Sequence, residues 1–470
     1  MGAAAVSPSV LLQFHVPFMA SVAPFRALRY DPERVALTKV VTQPYDKITL
    51  QMQDQYYDAS PHNLVRIILG KRQAGDGNNA NVYTRAASYA CEWRRQGIFL
   101  QDTQPSLYAY SQRFRMPDGK AVLERRGFIG LGRLEDYSAG VVFRHEQTLA
   151  KPKADRLELL RATRVHFEQL FMVYNDSGEI SAVLPQNGEA DVEVTDEYGV
   201  LHRLWRISDP AIVGLICGKM RDKKLIIADG HHRYETALNY RDQQRAALAA
   251  VAPAGATRES SSGDALLGTG PASQAPHEFV MMTFIDMESP GLVVLPTHRV
   301  VHGLASFSAD RMQSAARNYF SVEEVDASLD AARATSILRE AGHAGTALLA
   351  VAANRAYLMH SPKGNGSRLF AGLSPRQQSL DVVQLHRSLL EGVLGLSEES
   401  IRNQQNLSYV REAGEALEKV HEGEANVAFL MNPVRMEQVR DLAFSGEVLP
   451  QKSTDFYPKL LSGLTMYALD

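Results

Sequence analysis

The chain has 470 residues, a mass of 51.9 kDa and 45% hydrophobic residues, enough to bury one large core or two to three ordinary ones, and it reads as globular. A formal charge of −3 and a pI near 6.5 give no global electrostatic reason to expect nucleic acid or an acidic membrane surface as a partner. Cys91 and Cys217 are far apart and lack CxxC spacing, so neither a disulfide framework nor a structural zinc site is indicated, and a reducing cytoplasm fits best.

The opening "MGAAAVSPSVLLQFHVPFMAS" has no Lys or Arg ahead of its apolar stretch, so the positive n-region of a secretory signal is missing. Residues 1–20 read as an extension, with Met19 as an alternative start that would leave 1–18 untranslated. No apolar run approaches the ~20 residues of a membrane span, and a soluble protein is expected. From 22 to 70 short apolar segments alternate with turns: "KVVTQPYDKI" places a strand-like pair before a Pro-Tyr-Asp turn, and "NLVRIILG" is a β-branched run stopped by Gly70. Residues 79–96 read as a helix. "SLYAYSQRFRM" and "VLERRGFIGLGRL" form a hairpin with Asp118 and Gly119 at its tip.

"DRLELLRATRVHFEQLF" follows as a helix with Leu157, Leu160, Phe167 and Leu170 on one face, opened by a capping-box-like Asp155 and Glu158. "KLIIAD" reads as a buried strand and "HRYETALNYRDQQRAALAAV" as the next helix. Residues 249–276, rich in Ala, Gly, Ser and Pro without a period, mark a flexible insertion between a first part, 21–248, and a second, 277–470. In the second part "EFVMMTFIDM", "LVVLPTHRVV" (split by Pro296), "AVAANRAYLMH" and "ANVAFLMNP" are strands, and "SLDVVQLHRSLLEGVLGL" is an amphipathic helix carrying Val382, Leu385 and Leu389. Strands and helices mix without a regular βαβ rhythm, which predicts a mixed α/β (α+β) architecture with more than one sheet.

"IIADGHHRYE" concentrates the polar chemistry. A strand ending in Asp229, a turn at Gly230 and a helix starting near His232 would gather backbone N–H groups and a positive helix end at one spot, an anion site suited to phosphate. Arg233 could add a charge-assisted hydrogen bond, and Asp229 could hold Mg²⁺ or act as a general base. Neighbours on a helix point about 100° apart, so at most one of His231 and His232 can meet a ligand. The bland alternative makes Asp229 a helix cap and the histidines solvated. Further candidates are Tyr45 and Asp46 in "TQPYDKI", the stretch "FRHEQTLAKPKADR" with His145, Glu146, Thr148, Lys151, Lys153 and Arg156, the triplet Thr297, His298 and Arg299 inside "LPTHRVV", and Lys452, Ser453 and Thr454 in "LPQKSTDFYPKL". Glu146, between a histidine and a basic loop, could take a proton from a hydroxyl near bound phosphate. No GxxxxGK[ST] and no GxSxG occurs, which disfavours P-loop ATPases and α/β-hydrolases; "GLGRLED" lacks the context of a dinucleotide fingerprint.

Taken in order, "APFRALRYDPERV", "QPYDKI", "SPHNLVRIILG", "HEQTLAKPKADRLELLRAT", "IADGHHRYETAL", "LPTHRVV" and "LPQKSTDFYPKLLSGL" resemble the bacterial and archaeal family of domain of unknown function 1015, from about Ser21 to Leu464. Gln43-Pro44 departs from the pair of prolines usual there. The Asp229-Gly230-His231-x-Arg233 box is also similar to that of the ParB and sulfiredoxin superfamily, which includes chromosome-partition CTPases, sulfiredoxins and free-serine kinases. His231 stands where sulfiredoxin chemistry needs a cysteine. The resemblance implies a ParB/sulfiredoxin-like nucleotide-binding core with additional sheet and helical elements. It implies that Asp229, His231 and Arg233 position phosphates and metal, that Glu146 or Asp46 activates an acceptor, and that Gly230, His232, Lys151, Thr297, His298 and Arg299 line a nucleotide site. The expected function is Mg²⁺-dependent transfer of phosphate from a nucleotide, ATP or ADP, to a small hydroxylated metabolite such as free serine. The alternative is a non-catalytic, nucleotide-sensing ParB-like regulator. On this reading Asp229→Ala abolishes transfer with little loss of fold.

Overall fold

The computed structural model describes residues 20–148, 150–185, 188–251, 274–364 and 368–470. Residues 1–19 of the expected extension and 252–273 of the expected insertion lie outside them. The architecture is mixed α/β and is organised by a nine-stranded main sheet and a six-stranded second sheet.

Across the main sheet the order is Val142–Phe143, Leu225–Asp229, Leu170–Tyr174, Phe279–Asp286, Val122–Arg133, Leu107–Arg115, Leu201–Ile207 and Val192–Thr195, with Val22–Ala23 on the edge of Val122–Arg133. Leu225–Asp229 runs parallel to Val142–Phe143, and Phe279–Asp286 parallel to Leu170–Tyr174; the other pairings are antiparallel. The continuous apolar run "LIIA" is explained by burial on both faces. Ile226 and Ala228 enter one core with Phe171 and Val173, while Leu225 and Ile227 enter another with Leu170 and Met172. The hairpin around Gly119 forms as the Asp-Gly pair predicts, with Gly119 at φ +71°.

Helix Val82–Arg95 starts at Asn81, whose side chain accepts from the amides of Tyr83 and Thr84. Helix Ala150–Thr163 begins five residues ahead of Asp155, so Asp155 is no cap; Pro152 is tolerated in the first turn, and Arg164 at φ +54° ends the helix before Phe167 and Leu170. The run "VRII" is a short helix, Val65–Ile68, not a strand, because the Asn63 side chain accepts from Val65 N at 2.9 Å and all of Val65, Ile67 and Ile68 pack inward. Likewise Val40 and Val41 are buried outside any strand, between 3₁₀ turns at Leu37–Lys39 and Tyr45–Lys47.

Pro296 divides its apolar run between two sheets. Val293–Leu295 pairs with Asp455–Tyr457, whereas His298–Val301 enters the second sheet, whose order is Ser321–Val325, Arg355–His360, Ala347–Ala352, Val427–Met431, His298–Val301 and Leu407–Val410. The expected amphipathic helix is α-helical over Asp381–Gln384 and π-helical over Leu385–Val393. One continuous apolar core joins the sheets, including Phe171 and Ile226 from the first and Val301 and Phe429 from the second. The C-terminal segment returns to the first part: Leu449 N donates to His145 O at 2.7 Å, Ser462 bridges Thr42, and Tyr467–Ala468 pairs with Val165–His166. No helix of the described residues is long and apolar enough to cross a membrane.

His298 illustrates how this core couples to pH. Its ring is 3% exposed, Nδ1 accepts from Met431 N at 3.3 Å, and burial, with Arg299 beside it, pushes its pKa down to about 4. The neutral form is therefore favoured in the fold, so the stability it confers is present above about pH 6.5 and is lost as pH falls through about 4. His298→Gln should show a shallower loss of urea-unfolding free energy between pH 6.5 and 4, by about one proton. Identical slopes in parent and variant would overturn this assignment.

Candidate functional site

Asp229 ends the strand Leu225–Asp229 beyond a register shift between Ile227 and Asp229, a bulge that re-aims the strand end. Gly230 then turns at φ +98°, where a Cβ would sit 2.8 Å from Leu170 Cδ2, so glycine is demanded by both conformation and space. The helix His231–Val251 starts at once, beside the C-terminal segment, whose Lys459 meets Asp229.

Asp229 is the centre of an ion network. Its Oδ2 accepts from Arg233 Nη2 at 2.8 Å and its Oδ1 from Lys459 Nζ at 3.1 Å. Lys459 also reaches Asp455 Oδ1 at 3.0 Å, and Asp455 in turn meets Arg411 Nε at 2.6 Å and Lys47 Nζ at 3.6 Å. Although burial opposes ionisation, Lys459, Arg233 and Lys47 hold the Asp229 carboxyl well below the usual range, and Lys459, Lys47 and Arg411 do the same for Asp455. Burial works against the Lys459 ammonium too, yet Asp229 and Asp455 raise its pKa. Lys47 is the exception: burial and then Lys459 lower its pKa, more than Asp455 restores. Lys452 adds to the lowering, and Asp46 opposes it.

The two histidines divide as helical geometry requires. His231 is buried, its Nε2 accepts from His145 N at 3.4 Å and its ring lies edge-on to His145 at 4.8 Å; burial and His145 depress its pKa strongly. It packs against the 145–146 loop from inside. His232 is half-buried on the cleft side, lowered by burial against the pull of Glu235 and Asp46. Arg233 Nη1 donates to Gln169 O at 2.7 Å, its Nη2 to Asp229, and its side chain is 12% exposed, so it stabilises the turn from inside.

Glu146 Oε1 accepts from Ser453 N, Thr454 N and Thr454 Oγ1 at 3.1, 3.0 and 2.9 Å, so this carboxylate shapes the 452–454 turn. Asp46 is the better placed carboxylate. It is exposed on the 3₁₀ turn Tyr45–Lys47, with no hydrogen-bond partner among the described residues, and it is electrostatically coupled to His232, Lys459 and Arg233. Pro44 opens this turn, and Tyr45 N is anchored on Glu168 Oε1 at 3.0 Å. On the opposite rim Glu235 gathers Lys153, Thr148 and Arg144 at 2.8, 2.7 and 3.3 Å. The side chain of Lys151 lies outside the described residues.

His298 and Arg299 are buried in the second sheet, and Arg299 meets the site through the Lys452 carbonyl, at 3.1 Å, and electrostatically through Glu146. Asp229 does not fit its expected role as a metal ligand, because both oxygens are engaged by cations; among the described residues no group of three or more His, Cys, Asp or Glu side chains could hold an ion. Sequence reading missed Lys47, Asp455 and Lys459. The i, i+4 pair Asp455 and Lys459 was a visible signal, but nothing local indicates that Lys459 meets an aspartate 230 positions away.

The profile of one family, described as "Protein of unknown function (DUF1015)", matches residues 22–383. No curated protein matched the chain. Among solved structures, a conserved hypothetical protein from Pyrococcus furiosus is 12% identical, covering 69% of this chain and 91% of its own with a TM-score of 0.34. A free serine kinase in complex with AMP is 14% identical over 69% of this chain and 89% of its own, TM-score 0.34. SbnI with a C-terminal truncation, from Staphylococcus aureus, is 10% identical over 71% and 85%, TM-score 0.33.

Proposed function

The chain belongs to the DUF1015 family, and from that premise we propose that its cleft binds the phosphates of a nucleotide, ATP or ADP, and transfers phosphate to a small hydroxylated metabolite, with free serine among the acceptors to be screened. The observation that carries this reading is the cluster of Lys47, Lys459 and Arg233 around Asp229 and Asp455, where helix His231–Val251 begins. A helix N-terminus and clustered basic side chains together favour an anion with several oxygens. Phosphoryl transfer needs little beyond positioning and charge neutralisation, and this cleft is built from both. Asp46 would take the proton of the acceptor hydroxyl, and His232 and Lys452 would face the phosphates. The turn from Asp229 to Arg233 is read as a ParB/sulfiredoxin-like nucleotide-binding element, completed by residues 277–470.

A second reading, binding without transfer, draws on the same closed Asp229 ion network. Calorimetric titration with ATP, ADP and CTP, followed by a search for phosphorylated product, separates the two. Saturable binding of ATP and ADP is expected, weakened roughly tenfold or more in Lys47→Met. If none of the three nucleotides binds, the nucleotide reading falls; binding without product would leave the sensor.

A further inference from the structure

Two fully buried arginines from different sheets hold the segment that carries Lys452 and Lys459. Arg125, on the main-sheet strand Val122–Arg133, donates to Tyr457 O at 3.1 Å and to Pro458 O at 2.5 Å. Arg299, on the second-sheet strand His298–Val301, donates to Lys452 O at 3.1 Å and to Thr297 O; its Nε lies 3.4 Å from His386 Nε2 in the π-helical stretch, and its guanidinium lies over the Tyr409 ring at 5.0 Å. Among the described residues neither arginine has a carboxylate within ion-pair distance. A buried cation without a carboxylate partner is costly, and here part of its donors go to main-chain carbonyls, which fixes backbone, while Arg125 also donates to Gln112 Oε1.

At Lys452 this has a local consequence. The residue adopts φ +57°, uncommon for any residue with a Cβ, and its exposed side chain is electrostatically coupled to Lys47 and His232. The next two amides are turned toward Glu146. We infer that Arg299 is a positioning residue: by tying the Lys452 carbonyl to the second sheet, it aims the Lys452 ammonium at the phosphate-binding face. The second sheet thereby shapes the cleft without touching the ligand. This inference rests on the phosphate reading of the cleft, and Arg125 holds the other end of the segment independently.

The test pairs two readouts on the full chain. In Arg299→Lys the shorter reach of a single ammonium cannot serve Thr297, Lys452 and His386 together, so hydrogen exchange by mass spectrometry should rise in peptides covering 449–455 and stay unchanged around 457–461. ADP titration should weaken roughly tenfold in Arg299→Lys, equally in Lys452→Ala, and no further in the double variant, because one residue acts through the other. Additive losses, or full ADP affinity in folded Arg299→Lys, would overturn the inference. Should Arg299→Lys fail to fold, Arg299→Gln is measured against Lys452→Ala by the same criteria. If the parent itself binds no ADP, the phosphate reading fails, and unchanged exchange at 449–455 would then separately refute the positioning role.

Discussion

Asp229→Ala is expected to cost on the order of 3 kcal/mol of folding stability, and so to report on the fold before it reports on chemistry. This reverses the expectation drawn from the motif alone, which treated Asp229 as a reactive group that could be deleted with little effect on folding. Lys459 is 8% exposed and Arg233 12%, and removing Asp229 strips the first of one of its two carboxylates and the second of its hydrogen-bonded carboxylate. The carboxyl is held below the usual range against burial, so its contribution is present at neutral pH and is lost only as pH falls below the ordinary carboxylate range. Urea unfolding followed by the fluorescence of Trp93 and Trp205 measures the cost. Adding Lys459→Met should recover roughly half of it, because Asp455 keeps Lys47 and Arg411 as partners. A midpoint equal to that of the parent would show that Asp229 is not the anion of this network.

Asp46→Asn should lower turnover by roughly 10²- to 10⁴-fold while ADP affinity stays within about threefold. The amide keeps the shape of the side chain but cannot accept a proton from an attacking hydroxyl. Because Asp46 is exposed and lacks a hydrogen-bond partner among the described residues, the substitution should leave stability within about 0.5 kcal/mol. The split matters: a fall in affinity with turnover unchanged would make Asp46 a binding group, and less than a tenfold loss of turnover would return the search for the base to other carboxylates. Glu146→Gln is the informative comparison, since its carboxylate is already bound to the 453–454 turn and its loss should act through loop order.

What the sequence by itself determined is local. The apolar run ahead of Asp229 could only be a buried strand, Gly230 could only be a turn, and the adjacent histidines could only diverge, because these follow from side-chain period, backbone freedom and helical spacing. The Asp-Gly hairpin and the helix over Val82–Arg95 were legible for the same reason. Where tertiary packing outweighs local preference, the pattern misled: "VRII" became a helix inside a core, and the helix holding Lys151 began upstream of its apparent cap. The roles of the polar residues were decided only by the tertiary structure. Arg233 and His231 look like ligand contacts in the motif and turn inward in the fold, whereas Lys47 and Lys459, unremarkable in their own segments, meet through Asp455 beside Asp229. The physical reason is that the charge state and availability of each group depend on which carboxylates, carbonyls and water the folded chain brings within a few ångströms, and segments hundreds of residues apart supply them.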